Sequence, residues 1–183
     1  VREKVESEIK KGDGKLKAIM PVHIYGHPVD MDQILELAEK YNLVVIEDAA
    51  EVHCAEYLTG RNTPQPDWKR CGGLGHISTF SFYANKLITT GEGGMVLTND
   101  DTYAEKARSL RNLCFLPEKR FLHKELGHNF RLTNLQAAIG LGQLERIDEI
   151  IAKKRWMGQT YTERLQEIKG IQLPVEESLA KSV

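Results

Sequence analysis

Two periodicities of apolar positions alternate along this chain. Near its start, Val1, Val5 and Ile9 recur every four residues among lysines and glutamates, the spacing of a short amphipathic helix. The segment Lys10–Lys15 carries two glycines that end it. Leu16–Gly26 then reads as a buried strand, weakened by Pro21, which removes a ladder donor. Asp30 and Gln33 have the spacing of a capping box. They open a helix over Met31–Tyr41 with Ile34, Leu35 and Ala38 inward, and Asn42 closes it. Leu43–Ala50 is a β-branched run, so residues 16–48 spell a β-α-β unit, the building block of a parallel sheet covered by helices. The predicted fold class is α/β.

Between Glu56 and Gly75 the periodicity disappears into two prolines and several glycines, which predicts a long loop. A strand-like run from Ile77 carries Lys86 into a Thr-Thr-Gly-Glu-Gly-Gly turn, and a second strand-like run, Met95–Thr98, follows. Asp100 or Asp101 caps a helix through Thr102–Asn112. Cys114–Arg131 is irregular, basic and aromatic. Thr133 and Gln136 form another capping box and start a helix that extends past Arg155. Its apolar face is Leu135, Ile139, Leu144, Ile147 and Ile151. Gly140 and Gly142 predict a close approach to a neighbour, since glycine otherwise costs about 1 kcal/mol in a helix. The tail Ile171–Glu177 looks like the start of a further unit.

Charge narrows the function classes. The 183 residues include 25 basic and 26 acidic side chains for a net −1, which gives no electrostatic reason to expect nucleic acid or a membrane surface as partner. The basic triplet Lys153-Lys154-Arg155 reads as a solvated helix face. Cys54, Cys71 and Cys114 are odd in number and form no CxxC, so neither a disulfide framework nor a zinc ribbon is suggested, and a reducing, cytoplasmic setting is expected. No apolar run approaches the roughly 18 residues of a membrane span, and the charged N-terminus is not a signal peptide.

Lys86 is the strongest chemical candidate. Held among Phe80, Phe82, Tyr83, Leu87 and Ile88, its ammonium would be destabilised by desolvation, which is how a lysine becomes a Schiff-base nucleophile. The plainer alternative is a strand-end lysine pointing into water. Asp48 closes an apolar strand, the place where ligands sit in open α/β sheets. A carboxylate there can pair with a protonated ring nitrogen such as that of pyridoxal phosphate, or serve only as a cap or turn former. Glu47 faces the other way. Ser81, Thr89, Thr90 and the adjacent glycines offer hydroxyl and backbone donors to a phosphate. The GEGG turn is not the GxGxxG fingerprint, and no Walker motif is present, which argues against nicotinamide and nucleoside triphosphate chemistry. His23 and His27 flank Gly26 in a strand-to-turn context, so no metal site is expected from their spacing. His53 and Cys54 either line a cavity or pack.

Four stretches, taken in order, carry a resemblance. PVHIYGHPVDMDQI (21–34), EDAAEVHCAEY (47–57), FSFYANKLITTGEGGMVLTND (80–100) and GHNFRLTNLQAAIGLGQLERID (127–148) resemble consecutive motifs of the DegT/DnrJ/EryC1/StrS family of pyridoxal phosphate-dependent sugar aminotransferases. The resemblance covers most of residues 16–165, and the motifs together are far more specific than any one. It implies a type I pyridoxal phosphate-dependent transferase fold, a mostly parallel sheet flanked by helices. Residues 1–150 would be part of the cofactor-binding large domain, and 151–183 the end of a long helix and the start of a small C-terminal domain. Family members are considerably longer, so the chain reads as a partial large domain.

The same resemblance implies pyridoxal 5'-phosphate as cofactor, a homodimer with shared active sites, and transfer of an amino group from glutamate to a nucleotide-linked 4-keto-6-deoxy sugar. The wording of residues 56–73 and 84–94 is most similar to the branch that acts on GDP-4-keto-6-deoxymannose for cell-surface polysaccharide. Residue by residue, Lys86 falls on the Schiff-base lysine and Asp48 on the partner of the pyridine nitrogen. Ser81 falls on a phosphate ligand, and Asn129 on an asparagine that reaches the phosphate from the other subunit. Glu51 occupies the position near the phenolic oxygen, and Ala50 lies against the ring face. A sugar dehydrase of the same superfamily would carry histidine in place of the lysine, so Lys86 disfavours that alternative. A non-catalytic relative retaining the fold is the other.

Overall fold

A computed structural model describes residues 1–12 and 14–183. Helix α1 (Arg2–Lys10) precedes strand β1 (Ala18–Ile19), helix α2 (Met31–Tyr41) and strand β2 (Val44–Asp48). Strands β3 (Glu56–Thr59), β4 (Asp67–Arg70), β5 (Ile77–Ser81) and β6 (Gly94–Thr98) follow, then helix α3 (Asp101–Arg111). A small hairpin of β7 (Phe115–Leu116) and β8 (Lys119–His123) leads to helices α4 (Asn134–Leu144) and α5 (Ile147–Leu165), and β9 (Ala180–Lys181) ends the chain. The central sheet has the order β1-β2-β5-β6. Its first three strands run parallel, and β6 is antiparallel to β5. The predicted β-α-β unit is therefore present, with α2 as its crossover.

The core lies where α2 meets β2 and the turn after it: Met31, Ile34, Ala38, Leu43, Val45, Ala49, Val52 and Tyr57. Leu37 is fully buried as well, whereas Leu35, expected inward, is only half-buried. Asn42 adopts the left-handed conformation, φ 51°, and closes α2 as expected. The N-terminal capping box does not form: the Asp30 side chain caps no backbone N–H. It accepts instead from Gln33 Nε2, from the Tyr57 hydroxyl at 2.7 Å and from Arg61. A buried phenol and a guanidinium from another strand and its loop outcompete the local bond.

Four further expectations are corrected. Regular strand structure in Leu16–Gly26 is confined to Ala18–Ile19, because Pro21 interrupts the ladder. The chain rejoins β2 beyond it through Asp48 N to Pro21 O and His23 N to Asp48 O. Only one face of this segment is buried: Pro21 and His23 point inward, and Met20, Val22 and Ile24 are exposed. Residues 56–75 are not one loop. Strands β3 and β4 pair antiparallel from Glu56↔Arg70 to Thr59↔Asp67, and β9 adds to the other edge of β3. The irregular stretch after Cys114 contains the β7–β8 hairpin. The long helix is broken: Arg146, at φ −115° and ψ 19°, separates α4 from α5. Of its expected apolar face, Leu135, Ile139 and Leu144 are exposed, whereas Ile147 and Ile151 are half-buried. Among the described residues no helix is long and apolar enough to cross a membrane.

Candidate active site

Strands β2 and β5 are parallel neighbours in the register Glu47↔Ser78 and Asp48↔Thr79, so their carboxyl ends lie side by side. Side chains alternate along a strand, and registered partners face the same way. Asp48, Thr79 and Ser81 therefore share one face, and Glu47 and Ser78 are buried on the other. The Asp48 carboxylate accepts the Ala50 N–H at 3.1 Å through Oδ1, and no hydrogen bond among the described residues reaches its second oxygen. The Ser81 hydroxyl accepts from Tyr83 N at 3.2 Å, which leaves its own proton free to donate.

A turn after β2 presents Ala50 and Glu51. Glu51 is held at both oxygens: Tyr25 N donates to Oε2 at 2.8 Å and Lys86 Nζ to Oε1 at 2.9 Å. The bond from Lys86, then the Tyr25 N–H, hold the Glu51 carboxyl below the usual carboxylate range. Lys86 itself has a side chain only 17% exposed and sits in a turn, its N–H bonded to Tyr83 O. Its surroundings differ from the sequence expectation. Phe80, Phe82 and Ile88 line an apolar cavity of about 640 Å³. Lys86 lies in a second cavity of about 610 Å³ with Tyr25, Glu51, Asn85 and Leu87. The lysine meets a carboxylate, not an apolar cage.

The loop that carries it is clamped by α4. The Gln143 amide spans the Thr89 backbone, accepting its N–H at 3.0 Å and donating to its carbonyl at 2.7 Å. Gln136 donates to Glu92 O at 3.0 Å. Between them, a Cβ on Gly140 would stand 2.9 Å from Thr90 Cγ2. Positions 136, 140 and 143 follow the i, i+4, i+7 stripe of one helix face, and they contact 92, 90 and 89 in reverse order. The predicted close approach belongs to Gly140; a Cβ on Gly142 would meet nothing. The capping box at Thr133 and Gln136 forms as predicted. The hydroxyls of Thr89 and Thr90, read as candidate anion donors, bond the loop's own carbonyls at Phe82 and Glu92.

Two residues matter more than their sequence positions suggested. Glu47 is fully buried. It accepts from His23 Nε2 at 3.0 Å, Gly72 N at 2.8 Å, Leu74 N at 2.7 Å and Gly75 N. Burial alone would raise its pKa; the bonds from His23 and the three N–H groups outweigh that and lower it. His23 Nδ1 accepts from Val29 N, so the ring's proton is on Nε2, facing Glu47. This knot fixes the strand end that presents Asp48. His53, 5% exposed, packs against Phe80 and Phe82 at ring separations of 5.4 and 5.9 Å. Its Nε2 is buried without a partner. Burial lowers its pKa, a bond to the Ser81 backbone opposes this, and the charge of Lys86 adds to the lowering. The sequence signals were slight: Glu47 alternates with Asp48 along the strand, and His53 follows Asp48 by five residues.

Among the six predicted site residues, Lys86 and Glu51 are in contact, and Asp48, Ala50 and Ser81 lie at the adjoining strand ends. Asn129 stands apart within this chain: it is exposed, bridged to Asn112 and accepting from Arg131 Nε at 3.0 Å. No group of three or more metal-ligating side chains occurs among the described residues.

Known proteins place this arrangement. The pattern of the DegT/DnrJ/EryC1/StrS aminotransferase family matches residues 1–182. The chain is 50% identical over 151 residues to GDP-perosamine synthase of Caulobacter vibrioides, covering 82% of this chain and 38% of that protein. It is 45% identical over 159 residues to GDP-perosamine synthase of Escherichia coli O157:H7, covering 87% and 41%. Among solved structures, DesV of S. venezuelae superposes with a TM-score of 0.78 at 35% identity, over 91% of this chain and 42% of that one. The chain thus spans about two fifths of the length of these relatives. The match over nearly the whole sequence, on the fold that joins Lys86 to Glu51, makes this chain a member of the DegT/DnrJ/EryC1/StrS aminotransferase family.

Proposed function

We propose that the whole protein is a pyridoxal phosphate-dependent aminotransferase that moves an amino group from glutamate to a nucleotide-linked 4-keto-6-deoxy sugar. The GDP-linked sugar is favoured by the similarity to the GDP-perosamine synthases. It works as a cytoplasmic homodimer with shared sites and supplies cell-surface polysaccharide such as O-antigen. Residues 1–150 are part of its cofactor-binding large domain, and 151–183 lead into a smaller one. The observation that carries this reading is the Lys86–Glu51 contact at 2.9 Å beside the strand ends of Asp48 and Ser81.

The side chains present fit the cofactor's chemistry: a primary amine, a carboxylate oxygen that no hydrogen bond among the described residues reaches, and a hydroxyl that donates to none of them. Lys86 would hold the aldehyde, Asp48 the ring nitrogen, Glu51 the phenolic oxygen, and Ala50 the ring face. Ser81 would hold the phosphate together with Asn129 of the partner subunit. When bound, pyridoxal phosphate supplies an electron-withdrawing ring that takes up the electron pair released at the substrate carbon. The protein's own contribution is placement. Asp48 is a carboxyl acceptor on the strand end that the Glu47 knot holds. Lys86 is an amine within reach of the fixed carboxylate Glu51, able to take up and return a proton at Nζ. Gln143 and Gln136 hold the loop that carries it.

The whole protein, purified with pyridoxal phosphate, is expected to show a visible absorbance band and glutamate-dependent amination within a panel of nucleotide keto-sugars. Both are lost in Lys86→Ala. A band that survives that substitution, or no band with cofactor supplied, refutes the reading.

A further inference from the structure

The cavity around Lys86 holds more positive charge than the lysine's own chemistry requires. Its wall includes Ile150, Lys153, Lys154 and Met157 of α5. These are positions i, i+3, i+4 and i+7, a single stripe on a helix, so this face of α5 is turned to the cavity. The basic triplet is divided by that geometry. Arg155 points elsewhere, its Nε donating to Ser182 O at 2.9 Å and its Nη2 to Glu176 Oε1 at 3.2 Å. Among the described residues no ion pair engages Lys153 or Lys154. The charged side chains of the wall are three lysines against one glutamate, and Glu51 is taken by Lys86, so no carboxylate side chain of the wall pairs with Lys153 or Lys154.

We propose that Lys153 and Lys154 bind the diphosphate of the nucleotide-linked substrate. This rests on the aminotransferase reading for the identity of the sugar. Three features favour a diphosphate over the carboxylates of the amino donor. Consecutive helix residues diverge by about 100° around the axis, so the two ammonium groups are splayed and suit an anion with two separated centres. Lysine acts on phosphate as a point charge, whereas planar carboxylates are gripped by the arginine fork, and the nearby arginine is engaged outside the cavity. A volume of about 610 Å³ also exceeds what a small amino acid fills and lies in the range of sites for larger ligands. Two like charges on a partly enclosed wall raise the local concentration of an anion. They would hold the sugar's leash beside Lys86 without taking part in its chemistry.

The test uses the whole protein supplied with pyridoxal phosphate, with GDP and glutamate as separate probes. In the double variant Lys153→Gln/Lys154→Gln, GDP binding by calorimetry is expected to weaken roughly tenfold per lysine removed, as for lost charge-assisted hydrogen bonds. Its dependence on ionic strength should flatten, because the screened charges are gone. The visible band and the glutamate half-reaction should stay unchanged, and Lys153→Arg/Lys154→Arg should recover most of the GDP affinity. Unchanged GDP affinity in the double glutamine variant overturns the proposal. So does a loss confined to glutamate, which would assign the lysines to the amino donor. If GDP binding falls as stated but no pyridoxal phosphate is captured, the diphosphate site stands and the aminotransferase reading fails.

Discussion

Two cavities flank the loop from Phe82 to Gly94, and they treat charge in opposite ways. On one side, Phe80, Phe82, Ile88 and Leu132 surround His53, whose imidazole is pushed toward its neutral form by burial. On the other, Lys86 faces Glu51 with two more lysines on the wall. The loop is a partition: a lysine leaves it in one direction and aliphatic and aromatic side chains in the other. The apolar cavity's one charged lining residue, Arg70, is exposed, whereas Lys86 is paired with a carboxylate that a backbone N–H also holds, the physical condition for a sheltered ionic site.

The comparison can be broken from its strongest contact downward. Lys86→Ala should abolish amination and the cofactor band outright, while leaving the apolar side and the folded state intact by circular dichroism. Removing the knot beneath both cavities comes next. Glu47→Ala leaves His23 and the N–H groups of Gly72, Leu74 and Gly75 without their acceptor, at a cost of about 3–5 kcal/mol in urea unfolding. The Glu47 carboxyl is lowered in the folded state, so its stabilisation is complete above glutamate's ordinary pKa and is lost as pH falls through the lower folded value. Glu47→Gln should erase that part of the acid dependence.

Gln143→Met removes a two-bond clasp at nearly constant volume and should cost about 1–3 kcal/mol. If the clasp positions Lys86, cofactor affinity falls with it, whereas an unchanged affinity would reduce α4 to packing. The smallest effect belongs to His53. Its depressed folded pKa means the unfolded chain binds the extra proton first, so its contribution is full above the ordinary value of 6.5 and declines as pH drops below it. His53→Phe should flatten that slope in pH-dependent thermal unfolding.

What was legible in the sequence was what is local. The β-α-β unit, the Asn42 stop and the Thr133–Gln136 capping box depend on residues a few positions apart, and they form. The Lys86–Glu51 pair joins residues 35 positions apart, so no periodicity could show it; only the motif resemblance put both near one site. Strand β4 is exposed at all four positions and carries no alternation to read. The break at Arg146 has neither glycine nor proline to announce it. The triplet Lys153-Lys154-Arg155 reads as one solvated face because its division depends on what α5 packs against. Asp30 shows the limit of a local signal, since Tyr57 and Arg61 took the carboxylate that the spacing assigned to a cap.

The central claim is that Lys86, alone among the lysines of the site, is the cofactor's attachment point. Borohydride reduction of the whole protein with pyridoxal phosphate, followed by peptide mass spectrometry, tests it directly. The predicted result is a phosphopyridoxyl mass on the peptide containing Lys86 and on no other. The same mass on Lys153 or Lys154, or no stable adduct at all, would contradict the account.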